Sequence, residues 1–195
     1  KVTSDSTAKD LGVIINESCK PSQHVLAIAK KANGVLAQQH RTLVSRDMDI
    51  ILKLYKVFVR PILESAVVAW FPWERQDIDV LERVQRRATR LVPAIGKKEY
   101  EEERLKICNL TSLEQRRERG DAIEVFKIMN GLTSINISDF FNFTSQRHDA
   151  STRSVTNKYL VPEKNRLDVR KYFFSNRVVH KWNDLPLEIR EAETL

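Results

Sequence analysis

The stretch from residue 47 to 72 constrains the fold more than any other part of the sequence. Apolar side chains recur there at steps of three and four residues, which places them on one broad face of a helix. They are Ile51, Leu54, Tyr55, Phe58, Ile62, Leu63, Ala66 and Trp70, and the face is widened by Ile50, Val59, Val67 and Ala69. The pattern predicts a central helix that is packed by neighbours on more than one side.

Charged residues and a proline limit what this helix can be. The apolar run is interrupted at regular steps by Lys53, Lys56, Arg60 and Glu64. Because buried charges are costly in lipid, the interruptions argue against a membrane span. Pro61 has no amide hydrogen, and its ring clashes with the carbonyl group four residues earlier. We therefore expect the helix to bend or restart near Arg60.

Length and composition indicate a helical domain. The 195 residues are enough to bury a core, 42% of them are hydrophobic and 30% charged, and only five are glycine. Long 3.6-residue periodicities with so few glycines predict an all-α, mainly helical fold. We expect a bundle of about five to seven helices with one short N-terminal strand and little other β structure.

The first part of the chain predicts a strand followed by a helix. Residues 11–15 are short and rich in β-branched side chains, so we expect a strand there. A single strand cannot form a sheet, and its partners therefore lie outside this chain or it is an edge. Pro21 and Ser22 then open a helix that runs to about Leu43, with Ser22 as its N-cap.

The segment 74–93 is the clearest amphipathic helix. One face carries Ile78, Leu81, Val84, Ala88 and Leu91, and the opposite face carries Arg83, Arg86, Arg87 and Arg90. Acidic residues at its start and arginines at its end suit the helix dipole, and this alone could explain them. Four arginines within eight residues are more than a dipole requires, however, and arginine binds phosphate oxygens in pairs.

Further helices are expected over residues 99–108, 112–130 and 168–182. Thr111 and Glu114 form a capping-box pair for the second of these, and Gly131 ends it. Its charged residues, Arg116, Arg117 and Arg119 among them, resemble a solvated face of paired ions. Residues 142–157 turn polar and predict a linker or mobile loop.

The net charge of +7 is concentrated in two blocks. Residues 1–100 carry 17 Lys and Arg against 11 acids, and residues 143–190 carry 10 against 5. Separate positive blocks favour a polyanion such as nucleic acid as the partner, although basic surface also serves solubility. The candidate nucleic-acid-binding residues are Lys30, Lys31, Arg83, Arg86, Arg87, Arg90, Lys97, Lys98, Arg170, Arg177 and Lys181.

No catalytic or metal-binding set emerges from the sequence. The two cysteines, Cys19 and Cys108, are too few and too distant to form a disulfide framework, which indicates a reduced intracellular setting in the nucleus or cytoplasm. Isolated histidines such as His24 and His180 have no cysteine pair beside them, so we expect structural or solvated roles. The chain begins with Lys1 and lacks an apolar leader, so we expect a piece of a larger protein.

Several segments, taken in order, resemble LINE-type, jockey-like non-LTR retrotransposon reverse transcriptases, in the region that follows the polymerase palm. The matching words are Lys9-Asp10-Leu11-Gly12-Val13, Leu54-Tyr55-Lys56, Val59-Arg60-Pro61-Ile62-Leu63-Glu64, Leu81-Glu82-Arg83-Val84-Gln85-Arg86-Arg87-Ala88-Thr89-Arg90, Arg119-Gly120-Asp121, Phe126-Lys127-Ile128, Asn130-Gly131, Phe173-Phe174, Arg177-Val178-Val179 and Trp182-Asn183-Asp184-Leu185-Pro186. They span nearly the whole chain. One departure is Ser65, where such elements commonly have tyrosine.

The resemblance implies three regions and a function. Residues 1–17 would end the palm as a strand, 18–142 would form a helical thumb-like domain, and 143–195 would be a polar loop and C-terminal helical extension. The parent protein would be an RNA-directed DNA polymerase of a transposable element. Its Mg²⁺-binding aspartates would lie in the missing palm, so this fragment would bind an RNA and DNA duplex by its backbone without catalysis and without a cofactor of its own. Its other partners would be the missing palm and fingers of the same polypeptide.

Two other interpretations remain open. The chain could be a helical protein-interaction module, or a domesticated remnant without polymerase activity, using apolar surface that the palm would otherwise cover. It could also be an independent enzyme, which the lack of a catalytic constellation disfavours. In each case we expect no membrane partner.

Overall fold

The computed structural model describes residues 6–143, 159–192 and 194, apart from the side chain of Glu102. The chain is mainly helical, with one short two-stranded sheet in the described part, which confirms the predicted all-α class. It divides into two compact units. Unit 1 ends at Arg117 and unit 2 begins at Glu118, so the division falls inside the helix that spans Leu113–Met129.

The N-terminal sheet is a hairpin, and the expectation of a lone strand was wrong. Strand β1 (Thr7–Asp10) pairs antiparallel with β2 (Val13–Asn16), and Asp10 lies opposite Val13. The two linking residues, Leu11 and Gly12, have φ values of +45° and +92°. Such left-handed pairs make tight hairpin turns and usually begin with Asn, Asp or Gly, so leucine at the first position concealed the turn.

Helix α1 (Ser22–Thr42) has the predicted extent but not the predicted cap. Pro21 occupies the N-cap position, and the Ser22 hydroxyl instead donates to Asp77 Oδ2 at 2.7 Å. Val25 and Leu36 are among the α1 side chains buried in the core of unit 1. The helix is therefore anchored at its start by a contact from another helix.

The central stretch is a series of helical segments rather than one helix. Helix α2 (Met48–Leu54) is capped by the Asp47 carboxylate and continues through a π-helical turn (Tyr55–Val59) into α3 (Arg60–Glu64). The wider turn accommodates the proline, because it adds a residue just before Pro61, and the irregularity predicted near Arg60 takes this form. The chain leaves the helix at Ser65, and Ala66 is left-handed at φ +52° before α4 (Val67–Trp70).

Only one face of the stretch from residue 47 to 72 is buried in the core. Tyr55, Val59 and Leu63 are fully buried, as the periodicity predicts. Phe58 is 54% exposed, so its assignment to the buried face was wrong. The π-helical turn rotates the face by one residue, and a strict 3.6-residue pattern cannot follow that rotation.

Helix α5 (Arg75–Arg90) packs beside α1 and buries Leu81, Val84 and Ala88, as expected. A turn-rich segment leads to a π-helical turn (Tyr100–Arg104) and the short α6 (Leu105–Ile107), where the sequence predicted one regular helix. Leu113 at the start of α7 (Leu113–Met129) completes the core of unit 1.

Among the described residues, unit 2 contains the rest of α7, a 3-10 turn (Ile137–Asp139) and three short α-helices. Gly131, at φ +66°, ends α7 as predicted. The single helix expected over 168–182 is split into α8 (Asp168–Lys171) and α9 (Phe174–Asn183), followed by α10 (Leu187–Arg190). Residues 144–158, most of the predicted linker, lie outside the described residues. Arg117 is buried, so the expectation that all α7 arginines are solvated was wrong.

Candidate nucleic-acid interface

Helices α1 and α5 lie side by side and run in the same direction. Two hydrogen bonds establish this: Ser22 Oγ donates to Asp77 Oδ2 at 2.7 Å, and Arg87 Nη1 donates to Asn33 Oδ1 at 3.0 Å. The partners are 55 residues apart along the chain in the first bond and 54 in the second. Such near-constant spacing requires parallel helices that advance together.

The Asn33–Arg87 contact lies at the outer edge of this helix pair. Arg83 and Arg90 are one turn to either side of Arg87 on α5, and Lys30 is one turn before Asn33 on α1. All four basic side chains are exposed. We call Lys30, Arg83, Arg87 and Arg90 the α1–α5 basic surface.

On the α1 side of this surface, two of the exposed residues near Asn33 have little or no side chain. Gly34 and Ala37 are exposed and follow Asn33 by one and four residues. A Cβ atom added at Gly34 would meet nothing within 4 Å, so the space beside it is open. Beside Gly34, therefore, no α1 side chain blocks the approach of a sugar-phosphate backbone to Arg87.

The positive charge of the basic surface is not neutralised by protein carboxylates. Within the described part of the chain, Lys30, Arg83, Arg87 and Arg90 take part in no ion pair. The Arg83 guanidinium donates only to the Asp79 carbonyl, at 3.3 Å. A bound polyanion would supply the missing counter-charges.

The other basic residues predicted in unit 1 lie elsewhere. Lys31 is two positions from Asn33, about 200° around the helix, and so belongs to the far side of α1. Arg86 pairs with Glu101 at 3.3 Å on the opposite flank of α5 from Arg87. Lys98 pairs with Glu103 at 2.7 Å, whereas Lys97 is exposed in the same segment.

The three basic residues predicted in unit 2 are all ion-paired. Arg170 pairs with Glu163 at 3.1 Å, and the Lys181 ammonium pairs with Glu118. Arg177 donates to both carboxylate oxygens of Asp121, at 2.9 and 2.8 Å, and both side chains are only 8% exposed. Because its guanidinium is held inside unit 2, we leave Arg177 out of the interface.

A buried polar network that the sequence analysis missed fixes the inner side of α5. The Tyr55 hydroxyl donates to Gln85 Oε1 at 2.6 Å, and the Gln85 amide donates to the Thr111 carbonyl at 3.0 Å. The Tyr100 hydroxyl donates to the Glu82 carboxylate. Burial raises the pKa of both tyrosines, and the nearby Glu82 charge raises it further.

This network orients the basic surface from behind. Glu82 and Gln85 lie on the core side of α5, so their bonds prevent the helix from rotating and keep Arg83, Arg87 and Arg90 outward. The sequence held one signal for it: a glutamate and a glutamine three residues apart beside the Leu81 and Val84 positions. Polar residues next to an apolar stripe are usually solvated. Here Glu82 and Gln85 are buried, because the hydroxyl groups of Tyr100 and Tyr55 form hydrogen bonds with them.

The described residues contain no cluster of three or more His, Cys, Asp or Glu side chains that could hold a metal ion. None of their helices combines the length and apolar character needed to cross a bilayer. Comparisons of the chain with protein-family models, with curated proteins and with solved structures found no match.

Proposed function

We propose that this chain is the thumb and C-terminal part of the reverse transcriptase of a LINE-type non-LTR retrotransposon. In this role it binds the backbone of a template and primer duplex and performs no catalysis by itself. The observation that carries the proposal is the α1–α5 basic surface, where four exposed cations that pair with no described carboxylate follow two parallel helices. The assignment to a polymerase rests on the sequence motifs, which occur in the same order as in the reverse transcriptases that the chain resembles.

The chemistry of this surface suits phosphates rather than bases. Guanidinium groups bind phosphate oxygens in pairs, and such contacts carry no sequence information. Arg83, Arg87 and Arg90 advance along the helix at steps of four and three residues, about 6 and 4.5 Å along its axis, so they form a row that can contact several phosphates of one backbone. We therefore expect affinity that is strong at low salt and similar for unrelated sequences.

By the resemblance, the aspartates that bind Mg²⁺ belong to a palm region outside this chain. The proposal accordingly assigns no metal ion and no chemical step to the residues present. Their contribution is to hold the duplex while another part of the parent protein extends the primer.

A helical protein-interaction module is the second candidate, and one observation favours it. On α2 and the π-helical turn, Ile50, Val57 and Phe58 are 41%, 62% and 54% exposed, although they belong to an otherwise apolar stretch. An apolar protein surface would cover these side chains.

One experiment separates the two candidates. The anisotropy of a labelled RNA–DNA hybrid should increase on addition of the chain, and the affinity should fall steeply as salt rises. Replacing Val57 and Phe58 with serine should leave that binding unchanged. If the hybrid does not bind at low salt, the polymerase proposal fails and the interaction module gains support.

A further inference from the structure

Arg104 is a buried cation that has no carboxylate partner among the residues the structure describes. It ends the π-helical turn Tyr100–Arg104, and only 3% of it is exposed. Its Nη1 donates to the Arg86 carbonyl and to the Thr89 hydroxyl, both at 3.2 Å, and its Nε is buried without a hydrogen-bond partner. Buried charges are normally paired or bind a ligand, so this arrangement requires an explanation.

The charged groups close to Arg104 include two other arginines, whose like charge destabilises the charged form of its guanidinium. The guanidinium carbons of Arg86 and Arg104 lie 4.9 and 5.0 Å from the centre of the same Tyr100 ring. Burial lowers the pKa of Arg104, the charge of Arg90 lowers it further, Tyr100 raises it, and Arg86 lowers it again. The guanidinium groups of Arg86 and Arg104 thus lie against one ring, and Arg90 follows Arg86 by one turn on α5.

The carboxylates around this cluster are engaged elsewhere or weakly held. Glu82 accepts hydrogen bonds from Tyr100 and from the Leu113 main chain. Glu103 pairs with Lys98. Glu101 pairs with Arg86, but the two side chains are 67% and 39% exposed, and exposed pairs of this kind contribute little.

We infer that Arg86, Arg90 and Arg104 form a binding site for a phosphate group at the C-terminal end of α5. A phosphate would replace Glu101 as the partner of Arg86 and would neutralise the repulsion among the three guanidinium groups. Arg86 also has a buried Nε without a hydrogen-bond partner, which a reoriented side chain could offer to the ligand. Arg90 is exposed and lies one turn beyond Arg86 on the same side of α5, so its side chain can extend toward the same ligand.

This site is separate from the α1–α5 basic surface, with which it shares only Arg90. It lies on the flank of α5 that faces Tyr100, whereas Arg87 lies on the flank that faces α1. The inference therefore does not depend on the proposed polymerase role. For this reason its test alters Arg104 and leaves Arg83, Arg87 and Arg90 intact.

The first measurement is thermal unfolding of the chain in increasing inorganic phosphate, with sodium chloride adjusted to hold ionic strength constant. A ligand that binds the folded state raises the melting temperature in a saturable way. Arg104→Gln should weaken phosphate binding by about ten- to a hundred-fold, the effect of losing a charged hydrogen bond. Lys106→Gln removes the same charge from an exposed position two residues away and should keep the wild-type response.

The second measurement identifies the source of the phosphate. A short duplex is prepared with and without 5′-phosphates and titrated against wild type and Arg104→Gln. Weaker binding of both duplexes by the variant assigns the site to backbone phosphates, and weaker binding of only the phosphorylated duplex assigns it to strand ends. If the variant loses inorganic phosphate alone, the site takes free phosphate.

Two results would overturn the inference. One is a wild-type melting temperature that responds to phosphate no differently from chloride at equal ionic strength, and this result needs no variant. The other is unchanged phosphate affinity in folded Arg104→Gln. If that variant does not fold, Arg86→Gln takes its place, and unchanged affinity there has the same meaning.

Discussion

The Glu82 carboxylate accepts a hydrogen bond from the main-chain N–H of Leu113 at 2.9 Å, although the two residues belong to different helices. The first N–H groups of a helix have no partner within it. Glu82 therefore caps α7 from α5, in addition to binding the Tyr100 hydroxyl. The Ser112 hydroxyl accepts from Gln115 N–H at the same helix end, where the sequence predicted a Thr111 and Glu114 capping box.

The first prediction is that Glu82→Ala destabilises the chain by at least about 2 kcal/mol. It leaves the Leu113 N–H and the Tyr100 hydroxyl buried without their acceptor, and each such loss costs about 1 to 3 kcal/mol. Urea unfolding measures the change. Asp79→Ala, on the same helix, removes only an exposed pair with Arg75 and should cost less than about 1 kcal/mol. Equal losses in the two variants would show that Glu82 has no special role.

The second prediction contrasts two positions of the central stretch. Leu63 is fully buried, so Leu63→Ala should cost about 2 to 5 kcal/mol through lost burial and a cavity. Phe58 is half exposed, so Phe58→Ala should cost much less, within about 1 kcal/mol. Thermal unfolding of both variants decides the matter. Comparable melting temperatures would mean that Phe58 is covered in solution.

The difference between these two positions shows where sequence patterns lose accuracy. Regular α-helical periodicity identified α1, α5 and the fold class, and the glycine at position 131 identified the end of α7. These features depend on local sequence alone. The π-helical turn before Pro61 shifts that spacing, so the exposure of Phe58 could not be read from it.

For the candidate site, the sequence predicted which α5 arginines are exposed but not which basic residues are ion-paired. The arginine ridge of α5 follows from the helical period, and its exposure in the structure agrees with that pattern. Which basic residues are paired depends on acids distant in sequence: Asp121 is 56 positions from Arg177, and Glu118 is 63 from Lys181. A single sequence offers no means of matching such pairs. The alignment of Asn33 with Arg87 was hidden for the same reason.

The third prediction concerns pH. His24 is buried beside the Trp70 ring, its Nδ1 accepts from Ile14 N–H at 3.2 Å, and burial lowers the pKa of its imidazole. The unfolded chain, with an ordinary pKa near 6.5, therefore binds a proton at a higher pH than the folded chain does. Stability should fall as pH drops below about 6.5 and level off below the folded pKa.

Urea unfolding between pH 7.5 and pH 5 measures this dependence. His24→Asn keeps an acceptor near the Nδ1 position but cannot be protonated, so it should flatten the slope. His40→Asn changes an exposed histidine and should leave the slope as in wild type. A wild-type slope retained in His24→Asn would assign the effect to other groups.

The fourth prediction is that Arg177 stabilises unit 2 and does not bind nucleic acid. Arg177→Gln leaves Asp121 buried with its charge no longer matched, and breaking a buried pair costs about 3 to 5 kcal/mol. The duplex affinity of the folded fraction should not change. Lys181→Gln removes an exposed pair with Glu118 and should cost less than about 1 kcal/mol. Weakened duplex binding by folded Arg177→Gln would return this residue to the interface.

The last prediction tests the α1–α5 basic surface through its salt dependence. Each phosphate neutralised on duplex DNA adds roughly 0.9 to the slope of log affinity against log salt. Changing Arg83, Arg87 and Arg90 to Gln should therefore flatten the slope by about 2 to 3 units and weaken binding similarly for unrelated sequences. The fold should remain intact, because all three side chains are exposed and none forms an ion pair among the described residues.

A matched control separates this local effect from that of total charge. Lys9, Lys31 and Lys53 are also exposed, lie outside the basic surface and form no ion pair among the described residues, so changing them to Gln removes the same number of positive charges. If the surface contacts the backbone directly, the control should keep most of the wild-type slope, since only counterions released at the contact contribute. Equal flattening in both triple variants would mean that diffuse charge drives binding. An unaltered slope in the folded triple variant of Arg83, Arg87 and Arg90 would mean that the duplex binds elsewhere on the chain.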